Sequence, residues 1–398
     1  MISPEDALKL LLDNSSTADI RQVPLVSAAG MVLAVDVHCD ADLPSYDSAA
    51  FDGFAVRGSD LRYDIASRNS AADPSSGVLK AGTAYPVIAG DPLPEGTDRI
   101  VPVQDASVKE TVLYLEASPE EGANIMSRGR FLESGQIVLE HGTRLSQQHL
   151  GIAALAGRES LCVYSRPRVG LVSVGEDLVP PTWRPAPGRS RDPVTPLLRA
   201  QLCSSGFDPE MTLRASGETS GLQRALEQSL ECCRVLLVSG CGASTVPIIE
   251  KMGFTILFRT VEQHPAEDLA VGVGKEGMSV FVLPREPMAA LVATEEYVLP
   301  CLRRRSGNKG CRKRNYFGQT TFSYSKEPGI LHFLGVLAYR EGTDWKLHLP
   351  ERKGSGGLAG SVSVNALALA GPDRISFREG DPMQFHFLSS TAGELSFA

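Results

Sequence analysis

Between residues 166 and 298 the chain alternates short, almost unbroken apolar runs with longer stretches of helical period. The runs are Val169-Gly-Leu-Val-Ser-Val174, Val235-Leu-Leu-Val238 and Ser279-Val-Phe-Val282. A strand with polar residues on neither side must be covered on both faces, and helices of ten or so residues between the runs supply that cover. The pattern predicts strands at 168–174, 235–238, 255–258 and 279–282. Helices are predicted at 193–204, 220–232, 246–252 and 287–298, packed on both faces of a parallel sheet. Strand ends in such a sheet, where a strand runs into a glycine turn, are where ligands bind.

Outside that block the pattern changes. Residues 43–53 are rich in turn formers, and up to about residue 105 short strand-like segments (54–56, 100–103, and 113–115 just beyond) are separated by Gly, Pro and Asp, as in a small β domain. A helix face at 147–155 and a strand at 161–164 precede the α/β block. After Gly307 short strands return with polar turns, at 318–324, 330–339, 346–349, 367–369 and 383–387, as expected of a small barrel. A chain of 398 residues exceeds one hydrophobic core, so several domains are expected. The expected division is an elongated discontinuous domain (1–45 with 120–165), an inserted small β domain (46–119), an α/β domain (166–305) and a C-terminal β-barrel (306–398). The fold class is multidomain α/β plus β.

With 42% hydrophobic and 22% charged residues, the composition excludes disordered and membrane classes. The first residues read as an amphipathic helix opened by Ser3-x-x-Asp6 rather than as a signal peptide, and no run approaches the ~18 apolar residues of a membrane span. The expected location is cytoplasmic, with no membrane partner. A net charge of −8 argues against nucleic acid as a partner, and the basic residues at 303–305 and 309–314 read as a solvated linker. The eight cysteines are scattered; the adjacent Cys232 and Cys233 lack metal or redox spacing, so reduced thiols are expected. His264 has no second His or Cys at ligand spacing and reads as an exposed loop residue.

The segment Leu43-Pro-Ser-Tyr-Asp47-Ser-Ala-Ala-Phe-Asp52-Gly53-Phe-Ala-Val-Arg57 places two aspartates beside a glycine bend. Taken alone, these aspartates are turn formers or functional groups. The segment resembles P-x-F-D-N-S-A-M-D-G-Y-A-V of the molybdopterin molybdenumtransferase family (MoeA and the gephyrin E-domain). Further similarities follow in the same order: Pro94-Glu-Gly-Thr-Asp98-Arg-Ile-Val-Pro102, Asn124-Ile125 through Gly142-Thr-Arg-Leu145, and Arg166-Pro-Arg-Val169 through Gly175-Glu-Asp-Leu178. Ser239-Gly240, Leu283-Pro-Arg-Glu-Pro287, Gly354-Ser-Gly356 and Asn365-Ala366 complete a resemblance that spans nearly the whole chain.

The resemblance implies a MogA-like α/β domain and a substrate, adenylylated molybdopterin, held between that domain and the aspartate loop of a partner subunit in a homodimer. It further implies hydrolysis of the adenylate with Mg2+ and insertion of molybdenum from molybdate. Carried onto this chain, Asp52 and Asp177 are the implied catalytic residues, with Asp177 as a metal ligand. Asp47, Gly53, Gly175, Glu176, Asp192, Ser239, Gly240, Gly242, Ser244, Pro284 and Arg285 are the implied binding residues. Several positions depart from the family. Ala89-Gly90-Asp91 replaces a threonine loop, and Gly129-Arg130-Phe131 lacks the two carboxylates of G-E-D. Glu176 and Asp177 are exchanged relative to G-D-E-L, and the glycine turn has become Ser239-Gly240-Cys241-Gly242-Ala243-Ser244. His264 and Glu267 replace the two lysines of K-P-G-K-P, and Arg285 and Glu286 replace a glycine and an asparagine. Three readings stand: a molybdenumtransferase, a non-catalytic homologue that binds molybdopterin or regulates an active paralogous subunit, and a nucleotide binder of another pathway.

Overall fold

The apolar runs form the centre of a six-stranded sheet in the order Met211–Ala215, Val169–Val174, Val235–Ser239, Ser279–Leu283, Ala270–Val273, Thr255–Phe258. Every residue of the strands at 169–174, 235–239 and 279–283 is buried. Alternation divides their side chains between two cores. Leu171, Leu237 and Phe281 face Leu198 and Leu202 of the helix Val194–Ser204, together with Ala7 and Leu11 of Pro4–Asp13. Val172, Val238 and Val280 face Leu222 and Leu226 of Thr219–Cys232 and Ile249 of Val246–Lys251. Each Val, Leu, Ile or Phe among these contributes about 1.5–3 kcal/mol by its burial.

The computed structural model describes residues 1–66, 78–179, 182–240, 242–350 and 361–389. Cys241 and Gly354 to Gly356 lie outside the described residues. The chain forms two units: Met1–Gln22 with Gly30–Ala34 and Cys162–Ala398, and Val23–Ala29 with Val35–Leu161.

In the first unit, the helix Pro4–Asp13 begins as its sequence predicts, with Ser3 Oγ accepting from Asp6 N at 3.1 Å. The sheet departs from the all-parallel expectation. Its first four strands are parallel, but Ala270–Val273 pairs antiparallel with both Ser279–Leu283 and Thr255–Phe258. Residues 274–278 are too few for the crossover that a parallel partner demands, so the chain turns back on itself. The last helix also differs: Pro287–Ala293 continues through a π turn, Thr294–Val298, into Leu299–Arg305.

That continuation corrects the linker reading of the basic residues. Arg305 is 4% exposed and donates to Ser279 Oγ at 2.7 Å, while Lys313 pairs with the buried Glu295. A carboxylate out of water requires a counter-charge, and the basic run supplies it.

A second sheet in this unit closes on itself: Leu331–Glu341, Asp344–His348, Tyr316–Thr320, Pro382–Phe387, Ala366–Ala370 and back to Leu331–Glu341. Closure leaves this five-stranded barrel without open edges around Val336, Leu347 and Phe385. The short strand Gln263–His264 adds to it, parallel to Leu331–Glu341.

The second unit holds a six-stranded sheet, Arg99–Pro102, Gly53–Val56, Thr83–Val87, Arg62–Ile65, Val112–Leu115, Ala106–Lys109. The helix Gln147–Leu155 follows it in the chain. No described helix is long and apolar enough to cross a membrane.

Candidate functional site

The chain order of the parallel strands reverses between Val169–Val174 and Val235–Ser239, whose neighbours lie on opposite sides. The loops leaving their carboxyl ends therefore diverge and open a crevice. Gly175, Glu176 and Asp177 leave the first strand, while Gly240 leaves the second with φ of 109°. A Cβ on Gly240 would lie 2.0 Å from Val174 O, so only glycine lets the two turns approach this closely.

A cavity of about 220 Å³ occupies the crevice, lined by Leu178, Ser190, Arg191, Asp192, Pro193, Val194, Ser239, Gly240 and Arg285. The structure thus gathers four of the sequence-derived positions, Asp192, Ser239, Gly240 and Arg285, around one space. Asp177 joins them through Arg285, whose guanidinium pairs with its carboxylate. The hydrogen bond from Arg285, and then its charge, hold the Asp177 carboxyl below the usual carboxylate range. Both side chains remain partly exposed, so the pair orients groups more than it stabilises the fold.

Other candidates have local duties. Asp192 Oδ1 accepts from Val194 N at 3.0 Å and Thr195 N at 3.1 Å, and Oδ2 from Thr195 Oγ1 at 2.6 Å. It caps the helix Val194–Ser204. Glu176 is exposed, and Gly175 is closely packed: a Cβ there would lie 3.0 Å from Asp177 Oδ1, so the neighbouring side chains would have to give by a few tenths of an ångström. Gly242 and Ser244 belong to the short 3-10 turn Gly242–Thr245. Pro284 borders a larger cavity of about 700 Å³ with Arg285, His264, Glu267, Asp268, Met288 and Phe333. Glu286 Oε2 accepts from Ala289 N at 2.6 Å and caps the helix that follows.

The electrostatics of this larger cavity differ from those of the first. Burial pushes the Asp268 carboxyl up. His332, whose Nδ1 lies 2.7 Å from Tyr324 Oη and whose ring centroid is 5.1 Å from that of His264, is held below the usual histidine range by burial and by His264. His264 is exposed, as expected from sequence.

Asp47, Asp52 and Gly53 belong to the second unit. Asp52 Oδ1 accepts from Ala89 N at 2.8 Å, and Asp47 Oδ1 accepts from Arg128 N at 2.7 Å. Both carboxylates brace loops that are distant in the chain rather than their own turn. Gly53 is obligatory for packing, because a Cβ there would lie 2.0 Å from Val101 O in the neighbouring strand.

The donor set does not fit a protein-held magnesium ion. Such an ion keeps several waters and takes one or two protein carboxylates beside substrate phosphates, and among the described residues no three His, Cys, Asp or Glu side chains converge. Asp177 is held by Arg285, and the Asp192 carboxylate is occupied by its helix cap. Sequence reasoning missed Arg191 and Ser190. The only available signal was the basic run Arg189-Ser-Arg191 just before Asp192. The described cysteines are free thiols, and burial, with Cys232 adjacent, pushes the Cys233 thiol up to about 12, so it stays protonated.

A solved structure of a molybdopterin biosynthesis MoeA protein from Pyrococcus horikoshii shares this fold, with a TM-score of 0.84 at 22% identity over 98% of this chain and 99% of that one. In sequence, the molybdopterin molybdenumtransferase of Synechococcus elongatus is 29% identical over 324 residues, covering 76% of this chain and 80% of that protein. Molybdopterin molybdenumtransferase 2 of Mycobacterium tuberculosis is 28% identical over 342 residues, covering 81% and 84%. A family model describing the MoeA N-terminal region, domains I and II, matches residues 2–157. The chain's N-terminal portion is thus matched by the MoeA model, and most of its length aligns with molybdopterin molybdenumtransferases, to which the chain is similar.

Proposed function

We propose that this chain acts in molybdenum cofactor biosynthesis as a molybdopterin molybdenumtransferase, taking adenylylated molybdopterin and molybdate as substrates and releasing AMP. The observation that carries this reading is the cavity at the strand ends, where Arg191 and Arg285 flank the Ser239-Gly240 turn. Two guanidiniums, two serine hydroxyls and a closely approaching backbone suit a phosphate group. In this reading the arginines hold the phosphoanhydride and Ser190 and Ser239 orient it. Asp192 fixes the helix that forms one wall. The reading includes a cytoplasmic homodimer, a catalytic role for Asp52, and the division into four domains described from sequence. Magnesium, implied by family resemblance, is not met by this donor set and no step is assigned to it.

The test is reconstitution of the purified chain with adenylylated molybdopterin, a divalent cation and molybdate, following AMP release and activation of an apo-molybdoenzyme. AMP release with activation supports the transferase. A second reading, a non-catalytic homologue that binds molybdopterin or regulates an active paralogous subunit, is favoured by the engagement of Asp192, which lines the cavity, and of Asp177, which pairs with its Arg285. Tight pterin binding without turnover would support that reading, and failure to bind pterin would sink both.

A further inference from the structure

We propose that Arg285 replaces a protein-held divalent cation at this site, so that the chain binds a phosphate-type oxyanion through the guanidinium without magnesium. The inference rests on the proposed function only for its choice of anion. Arg285 follows the central strand Ser279–Leu283 and lines both the 220 Å³ cavity and the 700 Å³ one, so it is the cation common to the two spaces. The carboxylate that could recruit a metal, Asp177, is instead paired with the Arg285 guanidinium.

A guanidinium has five donors in a planar fork, and Asp177 engages Nη2. No other hydrogen bond of the Arg285 guanidinium forms among the described residues. The remaining donors can meet an oxyanion while the charge stays fixed by Asp177. Arg191, whose Nε donates to Trp183 O at 3.1 Å, brings a second cation to the smaller cavity. The one acidic side chain lining it, Asp192, has both carboxylate oxygens engaged by Val194 and Thr195. The residues that line the smaller cavity, Arg191 and Arg285 against Asp192, therefore carry net positive charge without a metal, and guanidinium donors can bind a phosphate oxygen directly.

The experiment is isothermal titration calorimetry of the full chain with AMP, once in excess EDTA and once in excess magnesium. The wild-type affinity is expected to agree within about twofold between the two conditions, and Arg285→Ala is expected to lose about tenfold or more in EDTA. Magnesium should recover part of that loss in Arg285→Ala, because the variant frees Asp177. Arg285→Lys, which keeps the charge without the fork, should fall between. Wild-type AMP binding that requires magnesium overturns this proposal and leaves the transferase reading intact. Wild-type affinity in Arg285→Ala overturns it equally. Absence of AMP binding in both conditions overturns it, and pterin binding in the reconstitution assay then decides separately on the transferase. Should Arg285→Ala fail to fold by circular dichroism, the wild-type comparison and Arg285→Lys carry the test.

Discussion

Gly240 and Val174 approach so closely that a Cβ on the glycine would lie 2.0 Å from the Val174 carbonyl oxygen, and Gly240 holds φ at 109°. Two neighbouring parallel strands thus deliver their exit turns to one point, and the cavity with Arg285 forms there.

Gly240→Ala is expected to strain the turn and push it off Val174, at a cost of about 2–3 kcal/mol. In urea denaturation the midpoint should fall with an unchanged slope. AMP affinity should fall as well, since the turn lines the cavity. A variant as stable as the wild type, with AMP bound normally, would show that this turn relaxes freely.

How much of this arrangement could be read from sequence depends on where each residue lies. The strands at 169–174, 235–239 and 279–283 were legible because burial on both faces leaves no polar positions. Met211–Ala215 was not, because Thr212 and Arg214 point to solvent at the edge of the sheet and break the run. Ala270–Val273 was hidden by Gly272, whose missing side chain makes room for Ile249, Ile256 and Phe254. At the site, Ser239, Gly240 and Arg285 stood out through the order of their motifs. The pairing of Arg285 with Asp177 spans 108 positions, and no local pattern encodes it. Arg305 and Lys313 were misread for the same reason: a run of charges looks solvated until a distant buried carboxylate claims one of them.

Glu295, 1% exposed, offers a sharper energetic test. Burial alone pushes its carboxyl up, but Lys313, Gln201 and Ser389 outweigh that and hold it below the usual carboxylate range. Lys313→Ala leaves a buried, uncompensated carboxylate, and the expected loss is about 3–5 kcal/mol by urea denaturation. The double variant Lys313→Met, Glu295→Met should recover much of it, because no charge then remains to be solvated. A cost for Lys313→Ala below about 1 kcal/mol would mean that the pair behaves as an exposed one.

Stability should also respond to His332. Its folded pKa lies below the ordinary value of 6.5 because of burial, His264 and Lys326, against a smaller opposing effect of Glu267. Below about pH 6.5 the unfolded chain therefore binds more protons at this position than the folded one, so its contribution to stability falls as the pH is lowered. A melting-temperature series from about pH 7 to pH 5 should show a loss that is shallower in His332→Gln than in the wild type. Parallel curves for the two proteins would remove His332 as a source of acid sensitivity.

Asp52 separates a chemical role from a structural one. Its side chain is exposed, and Oδ1 accepts a hydrogen bond from Ala89 N at 2.8 Å. Asp52→Ala removes that acceptor, at a cost of about 0.5–1.5 kcal/mol, and under the transferase reading abolishes AMP release while the fold persists. Asp52→Asn retains an oxygen for Ala89 N but loses the negative charge. If the carboxylate acts on the reaction, Asn should be as inactive as Ala. Restored turnover in Asp52→Asn would assign the residue to loop bracing, and unchanged turnover in Asp52→Ala would remove it from the site altogether.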